Sequence, residues 1–189
     1  GLSGDKNVWG AVPERQRPPE RGALWPPYIR PDACQGCPIF RKSKGFVPGY
    51  GTFAANMLRI GEQPGKQELQ EGKPFVGASG EWLNKAQGGD KDAFTTNIRK
   101  CLSEETITRG EREASIAYCI TAYLQPELDA IGAAQAEKGI KAAAILLVGA
   151  DAAKAGIGRG DITKLHGTVW NRNEVEAMRN VQNQNYDAA

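Results

Sequence analysis

Gly61-Glu62-Gln63-Pro64-Gly65 and Lys73-Pro74-Phe75-Val76-Gly77-Ala78-Ser79-Gly80 are two glycine-punctuated runs in close succession. The first follows a short apolar run, Met57-Leu58-Arg59-Ile60, and the second leads into the helix-like stretch Glu81-Trp82-Leu83-Asn84-Lys85-Ala86. A strand that ends in a Gly/Pro loop bearing a carboxylate presents a reactive group at the edge of a sheet. Glu62 is therefore the candidate reactive group. Gly61 and Gly65 allow close backbone approach to a ligand, and Phe75 offers a flat apolar face. The plainer readings are that Glu62 is a loop carboxylate paired with an arginine and that Phe75 is core.

Working outward, the chain alternates strand and helix patterns. Met57–Ile60 reads as a strand and Ser79–Ala86 as a helix with Ser79 at its N-cap. Ala93-Phe94-Thr95-Thr96-Asn97-Ile98 is a second strand, rich in β-branched residues. A long helix covers about 111–131, with a break at Pro126. Ala143-Ala144-Ile145-Leu146-Leu147-Val148-Gly149 is a continuous apolar run of the kind found in buried parallel strands. A short Ala-rich helix over 151–155 follows, then a further strand at His166–Trp170. This order predicts a three-layer α/β/α fold around a central, mainly parallel sheet. Functional groups then belong beyond the carboxyl ends of strands, where Glu62, Asn97 and Gly149 all fall.

The 189 residues are 40% hydrophobic and 24% charged, which suits one globular domain with a full core. No run of about 18 apolar residues suggests a membrane span. Between Pro13 and Pro31 lie six prolines and four arginines, so residues 1–33 read as an extended linker over the domain. The sharper reading is a tether to other proteins of a larger assembly, or a nucleic-acid arm. A formal net charge of +2 says little about partners. The basic residues cluster, however, as Arg41-Lys42-Ser43-Lys44 and as Arg99-Lys100. Such clusters are ordinarily solvated faces, and they mark phosphate contact only where both border one groove.

Cys34-Gln35-Gly36-Cys37-Pro38 is a tight C-x-x-C loop, whereas Cys101 and Cys119 stand far apart. Disulfides would need an oxidising compartment, and nothing in the chain suggests secretion; a cytoplasmic or other reducing compartment is expected. Structural zinc usually draws on two closely spaced pairs, and the second pair here is open. A cubane iron–sulfur cluster needs four thiolates and tolerates irregular spacing. Spacing alone leaves zinc and iron–sulfur both standing.

Taken together, Gly61-Glu62-Gln63-Pro64-Gly65, Gly72-Lys73-Pro74-Phe75-Val76-Gly77 with Gly80, and Thr96-Asn97-Ile98-Arg99-Lys100-Cys101 resemble the iron–sulfur uracil-DNA glycosylases often called family 4. Leu147-Val148-Gly149-Ala150 and Ile162-Thr163-Lys164-Leu165-His166-Gly167 resemble two later segments of that family, so the likeness runs from about Cys34 to Trp170. The resemblance implies a glycosylase-like domain over 34–170 holding a [4Fe-4S] cluster on Cys34, Cys37, Cys101 and Cys119, with zinc as the alternative metal. It also implies DNA as partner and base flipping as mechanism. Carried over residue by residue, Phe75 stacks on the flipped uracil and Asn97 reads its edge, since an amide donates to O4 and accepts from N3–H. Glu62 orients water or stabilises the cationic sugar, and Gln63 lines the base pocket with Gly61 and Gly65. Arg41, Lys42, Lys44, Arg99 and Lys100 are the candidate phosphate contacts.

The chain departs from the family in three places. The family's later His-Pro-Ser motif has no counterpart; the single histidine, His166, stands where the family has arginine, and 171–189 is a polar tail. Leu69 follows Glu68 where an Asp is common. A subgroup that traps uracil covalently carries a histidine after the Asn strand, and Leu102–Arg112 has none, so covalent trapping is not expected. Loss of one such charge-stabilising donor costs about 2.7–4 kcal/mol of transition-state stabilisation. Three readings follow: a monofunctional uracil-DNA glycosylase; a glycosylase-like module without turnover that serves nucleic-acid binding or scaffolding in a larger replication, repair or virion assembly; and a zinc-stabilised α/β binding domain of unrelated function.

Overall fold

The structure is a computed structural model that describes residues 30–87, 93–140, 143–158, 160–165 and 167–169. In chain order these form β1 (Ser43–Lys44), β2 (Tyr50–Gly51), β3 (Met57–Gly61), α1 (Lys66–Glu71), α2 (Ala78–Gln87), β4 (Ala93–Asn97) and β5 (Leu102–Ser103). Then come α3 (Arg109–Cys119), a π-helical stretch (Ile120–Leu124), α4 (Gln125–Glu137), β6 (Ala144–Leu147), α5 (Ala150–Ile157) and α6 (Ile162–Leu165). The expected extension falls mostly outside the described residues. Its last part is tied to the domain: Arg30 stacks 3.9 Å over the Phe40 ring and donates to the Phe40 carbonyl and to Ser43 Oγ.

One mixed sheet organises the domain, in the order β2-β4-β3-β6. β3 runs parallel to both β4 and β6, and β2 pairs antiparallel with β4. The register sets Gly61 beside Asn97, so the two loops that follow leave the sheet at one level. The ladder extends past the strands, with the Ile98 N–H donating to the Gly61 carbonyl at 2.9 Å and the Arg99 N–H to the Glu62 carbonyl at 3.0 Å. Leu58 and Phe94 pack with Ala55 and Ile131 on one side of the chain's core, and Ile60 and Ile98 pack with Leu124. All of β4 is buried, including its two threonines, as the β-branched composition of that strand suits.

Several elements differ from the sequence expectation. Helix α2 begins at Ala78, and the Glu81 N–H reaches the Gly77 carbonyl, so Ser79 lies in the first turn and does not cap it. Pro126 does not break the long helix. It sits in the first turn of α4, and the preceding residues take π geometry, with the Gln125 N–H bonding back to the Ile120 carbonyl. That is where a residue without an N–H costs least. β6 is not buried: Ile145 is 59% exposed, because among the described residues β6 pairs with β3 alone. Of the strand expected at 166–170, Gly167–Val169 form a turn and coil, while His166 and Trp170 lie outside the described residues. No described helix is long and apolar enough to cross a membrane.

Candidate functional site

Gly61 is the pivot of the site. A Cβ at this position would lie 2.4 Å from Asn97 Oδ1 and 2.6 Å from Phe75 Cζ, so only glycine lets these two side chains meet across the end of β3. Phe75 has φ 58°, a left-handed conformation uncommon for a non-glycine residue. Helix α2 holds it there, since a Cβ on Gly80 would sit 1.8 Å from the Phe75 carbonyl oxygen. Backbone strain of this kind persists only where the surroundings over-determine it, and it collects at ligand sites. Asn97 is 2% exposed, and its side-chain nitrogen has no hydrogen-bond partner among the described residues. A buried, unpaired amide N–H₂ is costly unless something arrives to accept from it.

Glu62 and Gln63 leave β3 directly over the chain that follows β4. Gln63 Oε1 accepts from Arg99 Nη2 at 2.6 Å, and Glu62 Oε1 lies 3.4 Å from the same nitrogen. Arg112 of α3 comes within 4.0 Å of Glu62 and pairs with Asp151 of α5 at 3.4 Å. Glu62 is thus an arginine-paired carboxylate that is also a third exposed, at the strand ends. Gly65 precedes α1, and its N–H is taken by Glu68 Oε2 at 2.7 Å.

The basic clusters do not form one phosphate-binding face. Arg99 and Lys100 are each 1% exposed, so neither is placed to meet a phosphate. Lys100 Nζ lies 2.7 Å from Glu127 Oε2, an ion pair buried at both ends, and also donates to the Asn97 carbonyl at 2.9 Å. Glu127 accepts in turn from Thr96 Oγ1 and from the Gly49 N–H. In the other cluster Arg41 is exposed, whereas Lys42 pairs with Glu111 and Lys44 with Glu104. The sequence hid these buried partners because they lie far away along the chain. One signal was legible: Glu127 is a carboxylate at helical spacing from Leu124 and Ile131, inside an apolar stripe.

Cys34, Cys37, Cys101 and Cys119 border one cavity, walled in part by Phe40, Phe46 and Tyr123. All four thiols are free. Among the described residues, no group of three or more Cys, His, Asp or Glu is gathered as ligands of a single metal ion. Tyr118 holds the C-x-x-C loop by donating to the Ala33 carbonyl at 2.5 Å, and it packs where a side chain on Gly36 would fall. Burial pushes the Cys34 thiol up to about 11, partly offset by its 3.1 Å hydrogen bond with Tyr123. Burial likewise pushes Cys119 up to about 12, with the neighbouring thiols adding to the rise. Burial keeps the Cys34 and Cys119 thiols protonated until a cation compensates their ionisation, and with Cys37 and Cys101 on the same cavity the donor set fits a thiolate-bound metal group.

The sequence model described as the uracil DNA glycosylase superfamily matches residues 48–185. The chain is 39% identical over 93 residues to a type-4 uracil-DNA glycosylase of Pyrobaculum aerophilum, covering 46% of this chain and 47% of that one. It is 38% identical over 103 residues to the type-4 enzyme of Saccharolobus solfataricus, covering 52% of this chain and 46% of the other. With the type-4 enzyme of Sulfurisphaera tokodaii the identity is 35% over 104 residues, again 52% and 46%. The chain spans about half the length of the relatives it matches. With its family-wide match running through the Glu62 loop, the Phe75 loop and the Asn97 strand, the chain belongs to the uracil DNA glycosylase superfamily.

Proposed function

We propose that the chain is a uracil-DNA glycosylase that hydrolyses the N-glycosidic bond of a uracil flipped out of DNA. The observation that carries this reading is the buried Asn97 amide, whose N–H₂ has no partner among the described residues. Uracil offers O4 to that N–H₂ and N3–H to Oδ1; cytosine offers a donor and an acceptor in the reverse places and leaves the amide mismatched. Phe75, pinned beside Asn97 across Gly61, supplies the stacking face. Glu62 orients the attacking water or stabilises positive charge on the sugar as the bond breaks. Gln63, Gly61 and Gly65 complete the walls of the base pocket. The parallel pairing of β3 with β4 and β6 supports the finer reading of a three-layer α/β/α domain with a mainly parallel sheet.

Cys34, Cys37, Cys101 and Cys119 would hold a [4Fe-4S] cluster, the type-4 relatives supporting that choice over zinc. When bound, the group would supply iron–thiolate bonds that cross-link the Cys34 loop, the segment between β4 and β5, and α3, with four cysteine ligands leaving no iron site open. Metal analysis with visible absorption tests this: colourless, zinc-loaded protein would remove the cluster.

A single-turnover assay on uracil-containing single-stranded DNA tests the activity. Abasic product is expected at enzyme excess, and Asn97→Ala abolishes it while leaving metal content unchanged. DNA binding without abasic product would establish the other reading, a module that recognises uracil without turnover. An unchanged rate in Asn97→Ala would reject Asn97 as the base reader.

A further inference from the structure

We propose that Arg99 is a positioning residue for the Glu62–Gln63 dipeptide, setting the direction in which the Gln63 amide faces and holding Glu62 in place beside it. The proposal rests on the uracil-pocket reading for its functional meaning, though its geometry stands apart from it. Arg99 follows the base-reading strand by two residues, and its guanidinium is buried with 1% of the side chain exposed. It is shielded from solvent. It turns back under the loop after β3, where Nη2 donates to Gln63 Oε1 at 2.6 Å and lies 3.4 Å from Glu62 Oε1. Nη1 donates to Ser103 Oγ at 2.9 Å, and Ser103 Oγ also lies 3.4 Å from Gln63 Oε1. The backbone of Arg99 adds a third anchor through its N–H to the Glu62 carbonyl.

Two consequences follow from this fork. A carboxamide whose oxygen is committed to a guanidinium must direct its N–H₂ along its other arm. Gln63 is therefore fixed as a hydrogen-bond donor toward whatever lies in front of the loop, and an acceptor-rich pyrimidine such as uracil suits it. Glu62 in turn has its nearest cationic neighbour inside the protein, with Arg112 of α3 farther out at 4.0 Å and itself shared with Asp151 of α5. A lysine could not make the same fork, because an ammonium is a point charge and cannot hold Ser103 and Gln63 in one plane.

The test uses the full chain with its metal bound, the variants Arg99→Met, Arg99→Lys and Ser103→Ala, and two measurements that need no turnover. The first is the Gln63 side-chain amide resonance followed by nitrogen NMR; the second is binding of free uracil against cytosine. Arg99→Met is expected to move the Gln63 resonance, because it removes the donor to Oε1. It should also weaken uracil binding about ten-fold or more. Arg99→Lys keeps the charge but should restore neither the Gln63 resonance nor the uracil affinity, an outcome that a merely structural role would not produce. Should Arg99→Met fail to fold, Ser103→Ala decides, with an expected loss of uracil affinity of about five-fold and a moved Gln63 side-chain amide resonance. Folded Arg99→Met with the Gln63 resonance and uracil affinity of the parent overturns the proposal, as does Ser103→Ala with an unmoved Gln63 resonance. If the parent chain binds no uracil, the functional reading fails, and the Gln63 resonance still decides whether Arg99 positions the loop.

Discussion

Replacing Lys100 by methionine isolates an ion pair that is buried at both ends. Lys100 and Glu127 are each 1% exposed and 2.7 Å apart, so the mutation leaves a carboxylate inside the protein without its counter-charge. Glu127 keeps its hydrogen bonds from Gly49 N–H and Thr96 Oγ1, which lessen the penalty without neutralising the charge. Breaking a buried pair from one side costs about 3–5 kcal/mol. In a domain of this size each kcal/mol moves the midpoint by about 2–4 °C, so thermal melting should fall by about 6–20 °C. Adding Glu127→Gln removes the stranded charge and keeps an acceptor for Gly49. The double variant should therefore recover at least half of the loss, since a pair replaced together is often nearly neutral. The assay is circular-dichroism melting of proteins matched for metal content, because Lys100 also borders the thiol cavity. The reasoning is refuted if Lys100→Met melts within about 2 °C of the parent, or if the double variant is no better than the single.

Gly61→Ala should fold with a loss of about 1–3 kcal/mol, as overpacking does, while abolishing uracil binding, because its Cβ would meet Asn97 Oδ1 and Phe75 Cζ. Equal uracil affinity in a calorimetric titration would show that the two side chains do not share a pocket. Gly80→Ala should be the more damaging of the two, measured by chemical denaturation, because its Cβ meets the Phe75 backbone and not the end of a side chain. Metal-free protein should lose stability as pH rises from about 9 towards about 11–12, because the folded Cys34 and Cys119 thiols hold their protons where unfolded thiols have released theirs. A flat melting temperature across that range would contradict it. Metal uptake by the same thiols should release protons, seen as a buffer-dependent heat of binding.

The strands at 57–61 and 93–97 and the glycine runs that follow the first are written in local chemistry, which is why they are legible, whereas α1 between those runs escaped the sequence reading. Apolar and β-branched runs want a sheet, and glycines at 61 and 80 mark where backbone and side chains must pass close together. The cysteines are equally plain, since few other roles suit four free thiols in a chain of this kind. What escapes a linear reading is long-range pairing of charge. Arg99 and Lys100 look like a solvated basic pair next to a cysteine, yet their partners stand 36 and 27 residues away, at Gln63 and Glu127. Arg59 sits among apolar neighbours in β3 and is buried, where its guanidinium finds Asn84 of α2. Ile145 errs the other way: a residue that reads as core is exposed, because burial depends on which strands come to lie beside β6.

By itself the amino-acid sequence determined the two strands that carry the candidate site, the residue types proposed to read and stack on a base, and the family to which the chain belongs. Local pattern carries that much because backbone preference and side-chain chemistry are properties of short segments. Only the tertiary structure decided which charges face inward and what they hold. Burial of a charge is affordable solely where a remote partner is delivered to it, and the folding of β3 against β4 and of α4 beneath them delivers Glu62, Gln63 and Glu127 to Arg99 and Lys100.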